Sequence, residues 1–243
     1  MGKGKRGSKT PKTEPTGSDS AGPIAGLRII GGSFRGRKLH YSGDLRTRPM
    51  KDRLREAIFN LIGPSIRGKH AVDLFAGTGA LALEAISRGA ERATLIEQHH
   101  PTANVIRQNI ATLGVQQKAE VVPGNVFVWW KMQRGVGCHA HACRGHEDAT
   151  ALSPSVRSDM PTASVDMAPL PPWAVFCSPP YDFYIDRADE MLELIGGMIQ
   201  SAPVGSVFVV EADARFDFQT LPDRQAWDVR PYPPAVVGIY RKE

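Results

Sequence analysis

The chain has 243 residues, 42% hydrophobic and 23% charged, which excludes fibrous and wholly disordered classes and suits one substantial core. No run of about eighteen apolar residues exists, the start MGKGKRGSKTPKTEP lacks the apolar stretch of a secretory signal, and Arg6 breaks the myristoylation pattern. Three cysteines, Cys138, Cys143 and Cys177, are too few for a disulfide framework, so a cytoplasmic chain without membrane contact is expected.

The net charge of +5 is regional. Residues 1–69 hold 16 Lys and Arg against 5 Asp and Glu, whereas residues 70–243 hold 14 against 20. A cationic front on an acidic chain favours a polyanion, nucleic acid being the commonest, while a solvated tail with ordinary surface arginines is the plain alternative.

In chain order, residues 1–26 are Gly, Ser, Thr, Pro and Lys with almost nothing to bury, and are expected to form a disordered basic tail. Residues 27–69 form a basic N-terminal element. LRIIGG and RGRKLHY predict a hairpin of two short strands, and KDRLREAIFNLIG predicts a helix with Leu54, Ala57, Ile58, Leu61 and Ile62 on its apolar stripe. Lys51, Arg53 and Arg55 fall off that stripe. From His70 onward strands alternate with helices, the pattern of a mostly parallel sheet covered on both faces. HAVDLF, ERATLIE, AEVV, PWAVFC and GSVFVVEA read as strands. GALALEAISRG, Pro101 to Leu113, NVFVWWKM and Asp186 to Ile199 read as helices. AWDVRPYPPAVVGIYR reads as two antiparallel strands split by a Pro-rich turn, and residues 131–172 as a surface insertion within a single domain of residues 27–243.

DLFAGTGALALEA joins the first strand to a helix through Gly77 and Gly79, where the backbone can bend tightly and a nucleotide-like ligand can approach it. The same letters fit a dinucleotide fingerprint, with Glu97 at the end of the next strand ready to accept ribose hydroxyls. Asp73, ending strand one, would repel a pyrophosphate and welcome a cationic methionine group, which favours S-adenosylmethionine over a nicotinamide cofactor. Ser178-Pro179-Pro180-Tyr181 follows the apolar strand WAVFC and places an acceptor, a stiff turn and a flat ring at the carboxyl edge of the sheet. An exocyclic amine is a poor nucleophile because its lone pair is delocalised. The Ser178 hydroxyl oxygen and Pro179 carbonyl would accept its two hydrogens while Tyr181 stacks on the base.

With these residues in view, the chain resembles the methyltransferases that modify exocyclic amines through a [D/N/S]-P-P-[Y/F/W] motif, and more closely the bacterial 16S ribosomal RNA guanine-N2 methyltransferases known as the RsmD family. The resemblance is carried by LRIIGGSFRGRKL, TRPMKDRLREAIFNLI, DLFAGTGALALEAISRGA and the SPPY turn. It implies an α/β, Rossmann-like methyltransferase fold with an antiparallel last strand, S-adenosyl-L-methionine as cofactor, and a guanine of small-subunit ribosomal RNA, free or in an assembling subunit, as substrate. No obligate protein partner is implied. On this reading Asp73, Phe75, Gly77, Gly79, Glu97 and Asn125 hold the cofactor, with the Asn125 amide oxygen accepting from the adenine amino group. Arg28, Arg35, Arg37, Lys38, Arg46, Arg48 and Lys51 line a track for the RNA backbone.

Two departures matter. The family usually carries Asp or Asn where Ser178 stands, and Asn125 stands where an Asp often lies. A serine there also fits DNA cytosine-N4 methyltransferases, so a DNA amino-methyltransferase and a catalytically weak RNA-binding relative stay as alternatives. Cys138, His139, His141, Cys143 and His146 fit no closed zinc pattern, so no metal is expected. Trp129 and Trp130 are expected to pack, Arg55 to pin its helix as readily as to bind RNA, and Cys177 to be an inert apolar residue.

Overall fold

A computed structural model describes Met1 and residues 26–41, 43–44, 49–135 and 170–243. The expected tail, nearly all of the insertion, the Cys138–His146 cluster, Arg46 and Arg48 lie outside the described residues.

Seven strands form one sheet: β1 (His70–Asp73), β2 (Arg92–Glu97), β3 (Ala119–Pro123), β4 (Trp173–Cys177), β5 (Val207–Asp213), β6 (Asp228–Tyr232) and β7 (Ala235–Arg241). Their order is β3-β2-β1-β4-β5-β7-β6. The first five run parallel, and β7 pairs antiparallel with both β5 and β6, which is the expected Rossmann-like arrangement. Pro231 sits in β6, an edge strand where its missing N–H is tolerated.

The apolar runs alternate faces with a period of two, as strands buried on both sides must. Ala71, Ala93, Leu95, Ala174, Phe176, Val207 and Val209 pack into one layer. It is completed by α1 (Asp52–Ile62), α2 (Ala80–Ser87) and α3 (His100–Leu113). Val72, Ile96, Val175, Cys177, Phe208 and Val210 face the other layer, with α4 (Val126–Gly135) and α6 (Ala188–Ser201). A one-turn helix, α5 (Phe183–Asp186), precedes α6. Trp130 is buried and its ring abuts Gly197 of α6, so it packs as expected. Among the described residues no helix is long and apolar enough to cross a membrane.

Two local expectations are corrected. The N-terminal hairpin is shorter than expected. Around the single antiparallel bridge of Arg28 with Lys38, the Ile29 N–H donates to the Arg37 carbonyl at 2.9 Å and the Leu39 N–H to the Leu27 carbonyl at 3.0 Å, and the pairing stops at Ile30, where the backbone donors turn to α2. The N–H groups of Ile30 and Gly31 donate to the fully buried Glu84 carboxylate of α2, each at 2.7 Å. Gly32, at φ 76°, lies against the Ser87 carbonyl so closely that any Cβ would collide with it. The arm is thereby stapled to the end of α2. The second correction concerns α1. Ile58 and Ile62 of the expected stripe are buried and Leu54 and Leu61 pack against the core in part, but Arg55 and Phe59, which the stripe left out, are fully inward, and Leu54 and Ala57 also line a cavity. Arg55 has no exposed surface. Its guanidinium donates to the Arg28 carbonyl at 2.6 Å and to Asp52 at 2.9 Å, and burial lowers its pKa against the opposing pull of Asp52 and Glu84. It pins the helix and is not available to RNA.

Candidate functional site

Parallel strands end at one edge of the sheet, and the loops that leave them meet there. β1 lies between β2 and β4, with Asp73 level with Leu95 and Phe176. The Leu74–Gly79 loop and the Ser178–Tyr181 turn therefore leave adjacent strands side by side. They line one cavity of about 1220 Å³ together with Glu97, Asn125 and Glu211. Further walls come from Pro49, Met50, Lys51, Arg53, Leu54 and Ala57 at the start of α1 and from the β6–β7 turn, Pro231 through Ala235. A second depression, about 900 Å³ along Leu221–Ala226 and Tyr240–Glu243, shares no residue with it and gathers none of the expected site residues.

On the β1–β2 side, Glu97 accepts the Gly77 N–H through one oxygen and the His99 N–H through the other, both at 2.8 Å. Each oxygen keeps a lone pair, so the carboxylate that shapes the glycine loop can still accept hydroxyls from a ligand. Phe75 makes edge contacts with Phe127 at 6.2 Å and Phe183 at 5.9 Å, and the Arg187 guanidinium covers Phe127 at 4.0 Å. An aromatic wall therefore separates the loop from α4 and α5.

Three expected cofactor residues are placed differently from the reading above. Asp73 is 1% exposed and lies beneath the cavity wall, with both carboxylate oxygens buried and only the Ala82 and Phe75 amides facing them, too loosely to count as full hydrogen bonds. Burial, and secondarily the charge of Glu97, pushes its pKa up to about 7 against the opposing Ala82 and Phe75 amides. Gly79, at φ 74°, does not line the cavity. A Cβ there would come within 3.0 Å of Ile106 and 3.2 Å of Leu95, so this glycine lets the turn pack on its neighbours rather than admitting a ligand. The Asn125 amide oxygen is occupied as well. It accepts from the N–H groups of Phe127 at 2.9 Å and Val128 at 3.3 Å, capping α4. That leaves the amide NH2, not the oxygen, as the group able to serve a ligand.

At the other end of the cavity, the Ser178 hydroxyl donates to Oε2 of Glu211 and the Tyr181 hydroxyl donates to Oε1 at 2.7 Å. Glu211 is itself 7% exposed. It was missed in the sequence, although a signal was there. GSVFVVEA puts one carboxylate at the end of an otherwise apolar strand, and Cys177 pairs with Val210, so Glu211 stands across from Ser178. Below this corner, Cys177 and Tyr184 are buried together and the Tyr184 hydroxyl donates to the Glu211 backbone carbonyl at 3.0 Å. Burial pushes the Cys177 thiol up to about 12, in keeping with an inert residue.

Among the described residues the expected basic side chains do not form one track at the cavity. Lys51 and Arg53 line its mouth and are exposed. Arg28 pairs with Asp52 at 3.3 Å. Arg37 donates to the Thr112 carbonyl at 2.8 Å, at the far end of α3. Since α3 has 14 residues, that end is about 20 Å from the level of the cavity. Arg35 and Lys38 are exposed on this distal part of the arm.

Comparison with known proteins agrees with the geometry. The family described as "Conserved hypothetical protein 95" matches residues 27–137. "Ribosomal RNA small subunit methyltransferase D" of Escherichia coli K12 is 48% identical over 101 residues, 42% of this chain and 50% of that protein. Its namesake from Haemophilus influenzae is 40% identical over 97 residues, again half of that protein. The match thus spans about half the length of these curated relatives. The solved Escherichia coli protein yhhF superposes with a TM-score of 0.60 at 26% identity, covering 89% of this chain and 98% of that one. Residues 27–137 thus match the family described as "Conserved hypothetical protein 95", and about 100 residues of the chain are similar to proteins named ribosomal RNA small subunit methyltransferase D.

Proposed function

We propose that the protein methylates the exocyclic N2 amine of a guanine in small-subunit ribosomal RNA, using S-adenosylmethionine. The observation that carries this reading is the single cavity in which Glu97 and the Gly77 loop face the Ser178–Tyr181 corner. The names of the curated relatives, ribosomal RNA small-subunit methyltransferases, support the substrate class.

The residues present fit the cofactor. Glu97 offers acceptor lone pairs for ribose hydroxyls, the Phe75 wall offers an apolar face, and the Asn125 NH2 is a donor at the opening of α4. When bound, S-adenosylmethionine supplies a methyl group activated by a positive sulfur. The chain's own task is to orient the amine. With its proton committed to Glu211, the Ser178 oxygen turns its lone pairs outward to accept an amine hydrogen, and the Pro179 carbonyl takes the other. Tyr181 stacks on a base drawn out of its helix. Both acceptors return lone-pair density to the nitrogen, the hydrogen displaced by methylation would leave as a proton to water, and most of the acceleration comes from positioning and preorganised dipoles. Among the described residues Lys51 and Arg53 line the cavity and can meet RNA phosphates there, with Arg35 and Lys38 exposed on the arm.

Transfer of labelled methyl groups to small-subunit rRNA tests this reading. Ser178→Ala and Tyr181→Ala should each slow transfer by about 100-fold, in line with the loss of one preorganised polar contact, while cofactor binding persists. Wild-type rates in both variants would contradict it.

A further inference from the structure

We infer that Glu211 is the positioning carboxylate of the site, holding Ser178 and Tyr181 in their working orientations. The inference rests on the methyl-transfer reading above.

A serine hydroxyl can rotate, and its oxygen presents lone pairs to a substrate only if its proton is committed elsewhere. Glu211 removes that freedom by accepting from Ser178 through one oxygen and from Tyr181 through the other. The hydrogen bond to an anion also polarises the Ser178 O–H, strengthening its oxygen as an acceptor. The negative charge that Ser178 lacks is thus supplied from the neighbouring strand, one bond network away from the amine. The Tyr181 ring is fixed at its hydroxyl end by the same carboxylate. Glu211 is held from behind, since Tyr184 donates to its backbone carbonyl and not to its side chain. A change confined to the carboxylate therefore leaves the strand anchored.

This arrangement imposes a rule on position 178: the residue must donate to Glu211 and accept from the substrate at once. Serine does both through one oxygen. Asparagine does both through its NH2 and its carbonyl. An ionised aspartate has no donor and would set two carboxylates against each other. Replacing Glu211 by glutamine supplies the donor from the other side, so it should rescue Asp at 178.

The test is single-turnover methyl transfer to rRNA at about pH 8, where carboxylates are ordinarily ionised. It is paired with cofactor titration and urea denaturation for Ser178→Asn, Ser178→Asp, Glu211→Gln and the Ser178→Asp/Glu211→Gln double variant. Glu211→Gln should lower the transfer step by about 100-fold and leave cofactor binding unchanged. Ser178→Asn should retain most of the rate, Ser178→Asp should lose it, and the double variant should exceed Ser178→Asp by about tenfold, a coupling typical of contacting residues. Equal rates for the Asn and Asp variants, or no rescue, would overturn the proposal. Coupling seen in urea denaturation but not in rate would assign Glu211 to structure alone and overturn it as well. Absence of methyl transfer by the wild-type protein would instead defeat the underlying functional reading, and this proposal with it.

Discussion

Replacing Asp73 by asparagine isolates the cost of burying the carboxyl that ends β1. Asp73 is 1% exposed, and its pKa rises from 3.8 to about 7, chiefly through burial. Between these values the folded protein keeps a proton that the unfolded chain has released. Stability at this site therefore falls as pH climbs from about 4 to about 7 and stays level above that. The shift is about three pH units, each worth about 1.36 kcal/mol, so the ionised carboxylate costs on the order of 4 kcal/mol above pH 7. That figure is an upper value, because relaxation and water entry soften burial. Asparagine keeps the shape without the charge. Its own buried amide carries a pH-independent cost, so the informative quantity is how the difference from wild type changes with pH. Urea unfolding read by linear extrapolation should show the variant gaining roughly 2–4 kcal/mol relative to wild type between about pH 4 and about pH 8. A pH-independent difference would refute the reasoning. A selective loss near pH 8 would do so too, showing that the carboxylate is held by a partner.

Glu84→Ala removes the acceptor shared by Ile30, Gly31 and Arg88. It should cost about 3–5 kcal/mol and speed hydrogen exchange at the Ile30 and Gly31 amides; a loss below about 1 kcal/mol would contradict the stapled arm. Lys51→Ala should reduce the salt slope of RNA binding by about 0.7–0.9. Arg37→Ala, whose guanidinium is engaged on Thr112, should leave that slope unchanged, and the reverse ranking would move the RNA path down the arm. Cys177 in the native protein should resist alkylation at about pH 8 and react once unfolded, as its thiol is held at about 12; equal labelling in both states would show an open strand end.

The strands and the sheet edge that carries the cavity were legible because apolar runs, interrupted by glycine turns and alternating with helices, leave few alternatives for a parallel sheet. The Ser178–Tyr181 corner and Glu97 were legible for the same reason: both close apolar strands, and strand ends converge. What escaped depended on partners distant in sequence. The hairpin strands are cut short at Ile30 because Glu84, more than fifty residues away, takes the donors of Ile30 and Gly31. The α1 stripe was read too narrowly because Arg55, a charged residue set off the apolar stripe, is satisfied internally by Asp52 and the Arg28 carbonyl and lies inward with Phe59. Asn125 looked like a ligand acceptor until its oxygen was found capping α4. Glu211 required the β4–β5 register, which sets it opposite Ser178 and which no local pattern announces.

The most direct measurement is the identity of the modified nucleoside. Small-subunit rRNA from cells lacking the gene, incubated with the purified protein and labelled S-adenosylmethionine, is digested and resolved by mass spectrometry. The account predicts label in N2-methylguanosine at one site, lost with Ser178→Ala. Label in another nucleoside, or in DNA in preference to rRNA, would contradict it.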